Sequence, residues 1–233
     1  MNLICRLLFL TIGLGLFLTP LSAQEDVYRM ELGVAVGGSF YMGDANYSTP
    51  FKNMGVAGGV MARYLLNLRM ALKGNLIAGK ISGNTTYIDD KFPGGLEANF
   101  KRNVYDLGVQ FEYNFWGYNS AQNYIRNQRI TPYILGGLGF TFAPEPAENV
   151  FTANIPIGVG VKYKLAHRIN IGCEWTMRFS LSDKLDVTKK DGLQLNDPFL
   201  IKGKGFKNKD SYSFTVFFIT YDLFPRCKGC NRE

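Results

Sequence analysis

The sequence contains a single histidine, His167, the residue type that serves most often as a catalytic base. It lies directly before Arg168 in a short segment between two runs of alternating apolar and polar residues. General-base catalysis needs an orienting carboxylate and a nucleophile within hydrogen-bond reach of the imidazole. A turn of this length offers neither, so we expect no catalytic residue here and no enzyme activity in the chain.

The one local cysteine motif lies near the end of the chain, where Cys227 and Cys230 flank Lys228 and Gly229. Two thiols are half the ligand set of structural zinc and no histidine is near, so we expect no metal. In an oxidising compartment a Cys227–Cys230 disulfide is the default. Thiol exchange or a covalent link to a partner is the alternative, because Cys173 makes the cysteine count after residue 23 odd.

Three glycine pairs could suggest phosphate-binding loops: Gly37-Gly38, Gly58-Gly59 and Gly136-Gly137. Each pair lies inside a predicted strand and precedes no predicted helix, so the anion site at a helix N-terminus is missing. Close packing in a small curved sheet explains them better. We therefore expect no cofactor and no small-molecule substrate.

The first 23 residues predict a cleaved secretory signal peptide. Arg6 precedes an apolar run over residues 7–18, and Pro20 and Ser22-Ala23 form the cleavage region. That run is shorter than the roughly 20 residues of a membrane-spanning helix, and no 18-residue apolar stretch follows it. The mature chain should begin near Gln24, and loss of Arg6 lowers the formal net charge from +7 to +6.

The basic residues are scattered along the chain rather than clustered on one helix or sheet face, so we expect no nucleic acid partner. Solvated loops and charges inside a barrel account for most of them. Contact with anionic lipid headgroups or lipopolysaccharide is the alternative.

Most of the chain has a hydrophobic period of two residues, which is typical of strands with one apolar and one polar face. In the clearest segment Ile171, Trp175 and Phe179 alternate with Glu174 and Arg178. Strands of about 11 to 16 residues, which exceed the usual five or six of soluble sheets, are predicted over residues 27–39, 54–66, 69–82, 100–115, 129–142, 153–165, 168–181 and 211–223.

These strands predict an all-β fold: a small closed antiparallel transmembrane β-barrel of about eight strands over residues 24–225, with a tail at 226–233. The connections after the second and sixth strands are tight and the one after the fourth is moderate, whereas we expect longer ones after the odd-numbered strands, as in outer-membrane barrels with both termini in the periplasm. A lumen of this width is filled by side chains. The expected inward charged residues are Arg29, Glu31, Arg63, Lys73, Asp106, Glu112, Lys162, Glu174 and Arg178.

Aromatic residues near the ends of the predicted strands suit the two interfacial girdles of such a barrel. We place six of them there: Tyr28, Phe115, Trp116, Tyr133, Tyr163 and Phe224.

Several long stretches carry a family resemblance: ELGVAVGGSFYMGDAN (31–46), NFKRNVYDLGVQFEYNF (99–115), RITPYILGGLGFTF (129–142), NIPIGVGVKYKL (154–165), IGCEWTMRFSLSDKLD (171–186), LNDPF (195–199) and KNKDSYSFTVFFITYD (207–222). Together with the closing Cys-Lys-Gly-Cys they span nearly all of residues 27–230 in order. In these stretches the chain resembles the PorG family, outer-membrane barrels of the type IX secretion system of Bacteroidetes.

The resemblance implies a structural role in protein export, in which the barrel anchors a periplasmic ring built from the lipoprotein PorK and its partner PorN. In some relatives it also implies gliding motility. On this reading the periplasmic turns and the tail would contact the ring, through Asn67, Arg69, His167, Arg168, Arg226 and Lys228.

Two other functions remain open from the residues alone. In the first, the chain is a generic small barrel whose long external loops act as an adhesin or bind lipopolysaccharide. In the second, it is an outer-membrane protease or acyltransferase, which the position of His167 in a periplasmic turn disfavours.

Overall fold

The protein, described here from a computed structural model, is an eight-stranded antiparallel barrel. The structure describes residues 28–42, 54–84, 99–117, 129–144, 149–181 and 211–225. The strands are β1 (Tyr28–Met42), β2 (Gly55–Leu65), β3 (Met70–Asn84), β4 (Asn99–Asn114), β5 (Ile130–Ala143), β6 (Val150–Ala166), β7 (Ile169–Ser180) and β8 (Ser211–Pro225). Within these ranges no helix is long and apolar enough to cross a membrane.

Each strand pairs with its sequence neighbour, and the pairing of β1 with β8 closes the barrel. The predicted fold class and all eight predicted strands are therefore confirmed. The predicted signal peptide, the loop at residues 182–210 and the tail at 226–233 lie outside the described residues.

Two tight turns define one end of the barrel, which we call the turn end. In the first, the Asn67 side-chain oxygen accepts hydrogen bonds from the backbone amides of Arg69 (2.8 Å) and Met70 (2.7 Å). This Asx-type geometry reverses the chain within residues 66–69. The second consists of His167 and Arg168. Tyr28 and Pro225 pair at the same end, which sets the first and last strand residues side by side.

The opposite end, which we call the loop end, departs from the predicted alternation of short and long connections. The connection after β5 comprises only residues 144–149, whereas the one after β4, at the turn end, runs over residues 115–129. The connection after β5 is shorter than predicted mainly because β6 begins at Val150 rather than at residue 153, while β5 ends one residue later than predicted. Backbone pairing between β5 and β6 continues to Ala143 and Val150, although polar and apolar residues no longer alternate in that part of the strands.

The outer surface of the barrel is a continuous apolar belt. Val34, Val60, Leu76 and Leu107 are register partners on four adjacent strands, and all four are about half exposed. Contiguous apolar surface of this extent is rare on proteins that face water. It is the surface that a barrel presents to the acyl chains of a bilayer.

Three residues lie on the opposite face of the barrel wall from the face predicted for them. Arg29 is exposed rather than inside the lumen, since it is the second residue of β1 and lies at the rim. Tyr28 is buried because its ring turns toward the β6–β7 turn. Tyr133 is buried because odd-numbered positions of β5 point inward. Phe115, Trp116, Tyr163 and Phe224 are exposed near strand ends, as a girdle requires.

Close strand packing explains at least one glycine of each predicted pair. A Cβ at Gly59 would overlap the carbonyl oxygen of Leu76, and one at Gly137 would overlap that of Val109. Neither glycine borders a phosphate-binding loop or a helix. Their role is to let neighbouring strands approach.

The belt generates a test of which face contacts lipid. Leu76→Arg should lower the free energy of unfolding in a bilayer by roughly 2–4 kcal/mol, because the substitution places a guanidinium in the hydrocarbon region. Leu76→Phe keeps the site apolar and is the matched control. Urea unfolding of the protein in lipid vesicles measures both, and equal stability of the two variants would contradict the orientation.

Candidate functional site: a paired lumen and a basic rim

Charge in the described part of the barrel is sorted by sign. Every acidic residue in these ranges is buried, whereas the exposed charged residues are all basic. The buried acids are Glu31, Asp106, Glu112, Glu174 and Asp222. The exposed basic residues are Arg29, Arg69, Lys80, Lys101, Arg129 and Arg168. The lumen and the two rims therefore present different chemistry.

The main ion network joins three cations to three carboxylates inside the barrel. Arg63 lies 3.3 Å from Glu31 and 2.9 Å from Glu112. A second cation, Lys73, lies 2.7 Å from Glu174. The third cation, Lys162, pairs with Glu112 as well. All six side chains are buried, and the balance of charge offsets part of the cost of removing them from water.

Strand register explains how these residues meet. Glu31 is the register partner of Arg63, and Arg63 is the register partner of Lys73, so three adjacent strands place charges at one level. The remaining members come from β4, β6 and β7 across the lumen. Eight strands leave an interior narrow enough for side chains from opposite walls to touch.

Aromatic rings fill the space around these charges. Tyr133 donates a hydrogen bond to Glu174 at 2.6 Å, and Lys162 lies 4.5 Å from the centroid of the Tyr133 ring. The guanidinium of Arg63 lies 4.4 Å from the ring centroid of Phe218. Such cation–π contacts replace part of the lost hydration of the cations.

A second pair lies toward the loop end, where Arg178 and Asp106 approach to 2.8 Å. Asp106 also accepts hydrogen bonds from Asn154 (2.7 Å) and Tyr212 (2.8 Å). The ring of Phe214 covers the Arg178 guanidinium at 4.5 Å.

A third pair lies toward the turn end. Lys164 contacts Asp222 at 2.6 Å, and Asn170 donates to the same carboxylate at 2.6 Å. The lumen is thus electrically balanced at all three pairing sites.

Eight of the nine charged residues predicted to point inward are buried there, the exception being Arg29. The prediction omitted Arg102, Tyr133, Asn154, Tyr212 and Asp222. Alternation along each strand could have located all five, since their inward parity matches that of neighbouring lumen residues. Within the described ranges no group of histidine, cysteine and acidic residues could hold a metal ion.

The residues predicted to contact a partner do not form one patch. Asn67 and Arg69 lie in the β2–β3 turn, whereas His167 and Arg168 lie in the β6–β7 turn, four strands away around the barrel. The Asn67 side chain is hydrogen-bonded within its own turn. Arg69 is the exposed charged side chain of that turn. Arg226, Cys227, Lys228 and Cys230 lie outside the described residues.

The β6–β7 turn is linked to the first strand. Arg168 Nε donates to the Tyr28 hydroxyl at 3.0 Å, and His167 Nδ1 lies 3.3 Å from the same oxygen. Arg168 Nη1 also donates to the Tyr221 hydroxyl at 3.4 Å. The hydrogen bonds to Tyr221 and Tyr28 raise the pKa of the Arg168 guanidinium. No described carboxylate orients His167 as a catalytic base would require.

The apolar belt, the polar paired lumen and the closed antiparallel sheet define the class of this protein: a small integral β-barrel of the outer-membrane type. Its chain belongs to the family described as a domain of unknown function, DUF6089, whose model matches residues 7–231. Among curated proteins, none matches the sequence.

Solved structures similar to the chain are bacterial outer-membrane proteins. The N-terminal barrel domain of OprF from Pseudomonas aeruginosa is 12% identical, covering 83% of this chain and 97% of its own, with a TM-score of 0.44. Neisserial surface protein A is 13% identical, covering 84% and 97%, with a TM-score of 0.45. The outer membrane enzyme PagL is 13% identical, covering 81% and 97%, with a TM-score of 0.35. That this chain is not an enzyme remains a prediction.

The network generates a stability test. Glu112→Gln should destabilise the barrel by about 3–5 kcal/mol, because it leaves buried Arg63 and Lys162 short of a counter-charge. In the double variant Glu112→Gln/Lys162→Gln two cations again face two carboxylates, so part of the loss should be recovered. Urea unfolding in vesicles compares the variants, and a double variant less stable than Glu112→Gln would contradict the pairing.

The filled lumen generates a second test. We expect no stable conductance steps from the purified wild-type protein in planar bilayers, because side chains occupy the interior of a barrel this narrow. Heat-modifiable migration in detergent gels verifies that the sample is folded. Porin-like steps from folded protein would show that the network does not close the lumen.

Proposed function

We propose that this barrel is a structural component of the type IX secretion system that anchors a periplasmic PorK/PorN-like ring to the outer membrane. The observation that carries the proposal is the lumen, where buried ion pairs join opposite walls, so we expect no aqueous path through it. The function would then depend on the two rims and the outer wall of the barrel. The resemblance to the PorG family over residues 27–230 supplies the identity of the partners.

The turn end is the docking face in this proposal. Pro225 pairs with Tyr28 there, so the tail at residues 226–233 leaves the barrel from the same end as the tight turns. Arg29, Arg69 and Arg129 are exposed at this rim. No described acidic side chain is exposed beside them, so the face suits a partner with an acidic surface. A turn end in the periplasm, with both termini, is part of the proposal.

The two tight turns lie on opposite sides of the barrel mouth, which constrains how a ring subunit would bind. A subunit that contacts both Arg69 and the His167–Arg168 turn must span the mouth. A subunit that contacts one turn would depend more on the tail. An oxidised Cys227–Cys230 pair would lower the entropy cost of ordering that tail on the partner.

A second candidate function concerns the loop end. Lys80 and Lys101 are exposed there on the outward faces of the adjacent strands β3 and β4. A pair of cations at the upper edge of the apolar belt suits lipopolysaccharide phosphates, and long external loops suit an adhesin. This reading places function on the opposite end of the barrel.

The two candidates differ in which deletion matters. Deleting residues 226–233, or combining Cys227→Ser with Cys230→Ser, should leave the barrel inserted but weaken recovery of periplasmic partners severalfold, because the docking tail is lost or loosened. Truncating the loop between residues 182 and 210 is the matched control and should change recovery little. Affinity purification in mild detergent measures both. Loss of partners on loop truncation alone would favour the adhesin reading.

A further inference from the structure

The seam where β8 meets β1 carries an arginine whose position is set by two tyrosines. Arg168 donates from Nε to the Tyr28 hydroxyl at 3.0 Å and from Nη1 to the Tyr221 hydroxyl at 3.4 Å. Its guanidinium carbon lies 5.4 Å from the centroid of the Tyr28 ring. An exposed arginine ordinarily samples many rotamers, and these contacts reduce that freedom. The guanidinium is therefore held near one location.

That location is the edge of the lipid-facing wall. Tyr221 belongs to the outward stripe of β8 with Phe217 and Ile219, and its ring is 45% exposed. Tyrosine hydroxyls on such stripes lie at the level of the headgroups, with the ring toward the acyl chains. Because Arg168 binds the Tyr221 hydroxyl, its charge lies at the same level. Leu165, on the preceding strand, is also exposed at this rim.

Arg168 has no counter-charge among the described residues. The nearby carboxylate of Asp222 is buried and already binds Lys164 and Asn170. The partners of Arg168 in this part of the chain are hydroxyl groups, which leave its positive charge uncompensated. In these ranges Nη2 of Arg168 has no hydrogen-bond partner.

We propose that Arg168 binds the headgroup phosphate of an anionic phospholipid at the β8–β1 seam. A guanidinium donates two parallel hydrogen bonds to a phosphate, which a lysine cannot do. The hydroxyl of Tyr221 accepts from Arg168 and keeps its own proton to donate to the same phosphate. The apolar residues Ile219 and Phe217 on the stripe beside it contact the acyl chains.

This site shares the β6–β7 turn with the proposed docking face but uses the outer wall of the barrel as well. Its test counts lipids bound to the purified barrel, so its result does not depend on whether a ring docks. Arg69 provides the matched control, because it is an exposed arginine in a tight turn of the same end but has no outward tyrosine among its described side-chain partners.

The experiment is native mass spectrometry of the folded full chain released from bilayers of phosphatidylethanolamine with phosphatidylglycerol. Wild-type protein should retain phosphatidylglycerol above its share of the bilayer. Arg168→Gln should lower that retention about fivefold, a ratio that corresponds to roughly 1 kcal/mol, because the hydrogen bonds from the guanidinium to the phosphate are lost. Tyr221→Phe should lower it less, and Arg69→Gln should leave it unchanged.

Heat-modifiable gel migration confirms that each variant is folded before lipids are counted. Inorganic phosphate at millimolar concentration should not displace the retained lipid, and displacement would show that the site recognises free phosphate instead. Equal losses of lipid in Arg168→Gln and Arg69→Gln would show that retention depends on net charge alone and would contradict the proposed site. Normal lipid retention in Arg168→Gln with loss of periplasmic partners would make Arg168 a protein contact and also overturn it.

Discussion

Closure of β1 on β8 is the constraint on which the rest of this structure depends. A backbone amide or carbonyl left unpaired in hydrocarbon costs several kcal/mol, so a sheet can cross a bilayer only if it has no edge. The pairing of these two strands runs from Tyr28 with Pro225 to Met42 with Ser211. It satisfies the last backbone groups and brings the two chain segments beyond the barrel to one end.

Closure with eight strands also determines what the lumen can be. The interior is too narrow for bulk water, so each charged side chain that points inward must find a partner within reach. Arg63 bridges two carboxylates from different walls, and Glu174 receives both Lys73 and the hydroxyl of Tyr133. A network of this kind holds the walls together, and we expect it to close the path between the two sides. The protein then interacts through its surfaces.

In the described ranges the rims are basic because the acids are inside. The carboxylates there pair with lumen cations, so the exposed charged side chains of these ranges are all basic. A cationic rim at each edge of an apolar belt is attracted to anionic headgroups on both sides of a bilayer. At the β8–β1 seam, hydrogen bonds to Tyr28 and Tyr221 fix the position of one of these cations, Arg168.

The sequence by itself determined the number of strands, their approximate ends and most of the inward-facing charges, since period-two alternation is a local property that each strand carries alone. Only the tertiary structure decided which charges pair, because Arg63, Glu112 and Glu174 meet across the lumen from strands distant in sequence. It also decided the positions of Arg29 and Tyr28, which depend on the geometry of the rim. The link from Arg168 to Tyr28 spans most of the chain and exists only because the barrel closes.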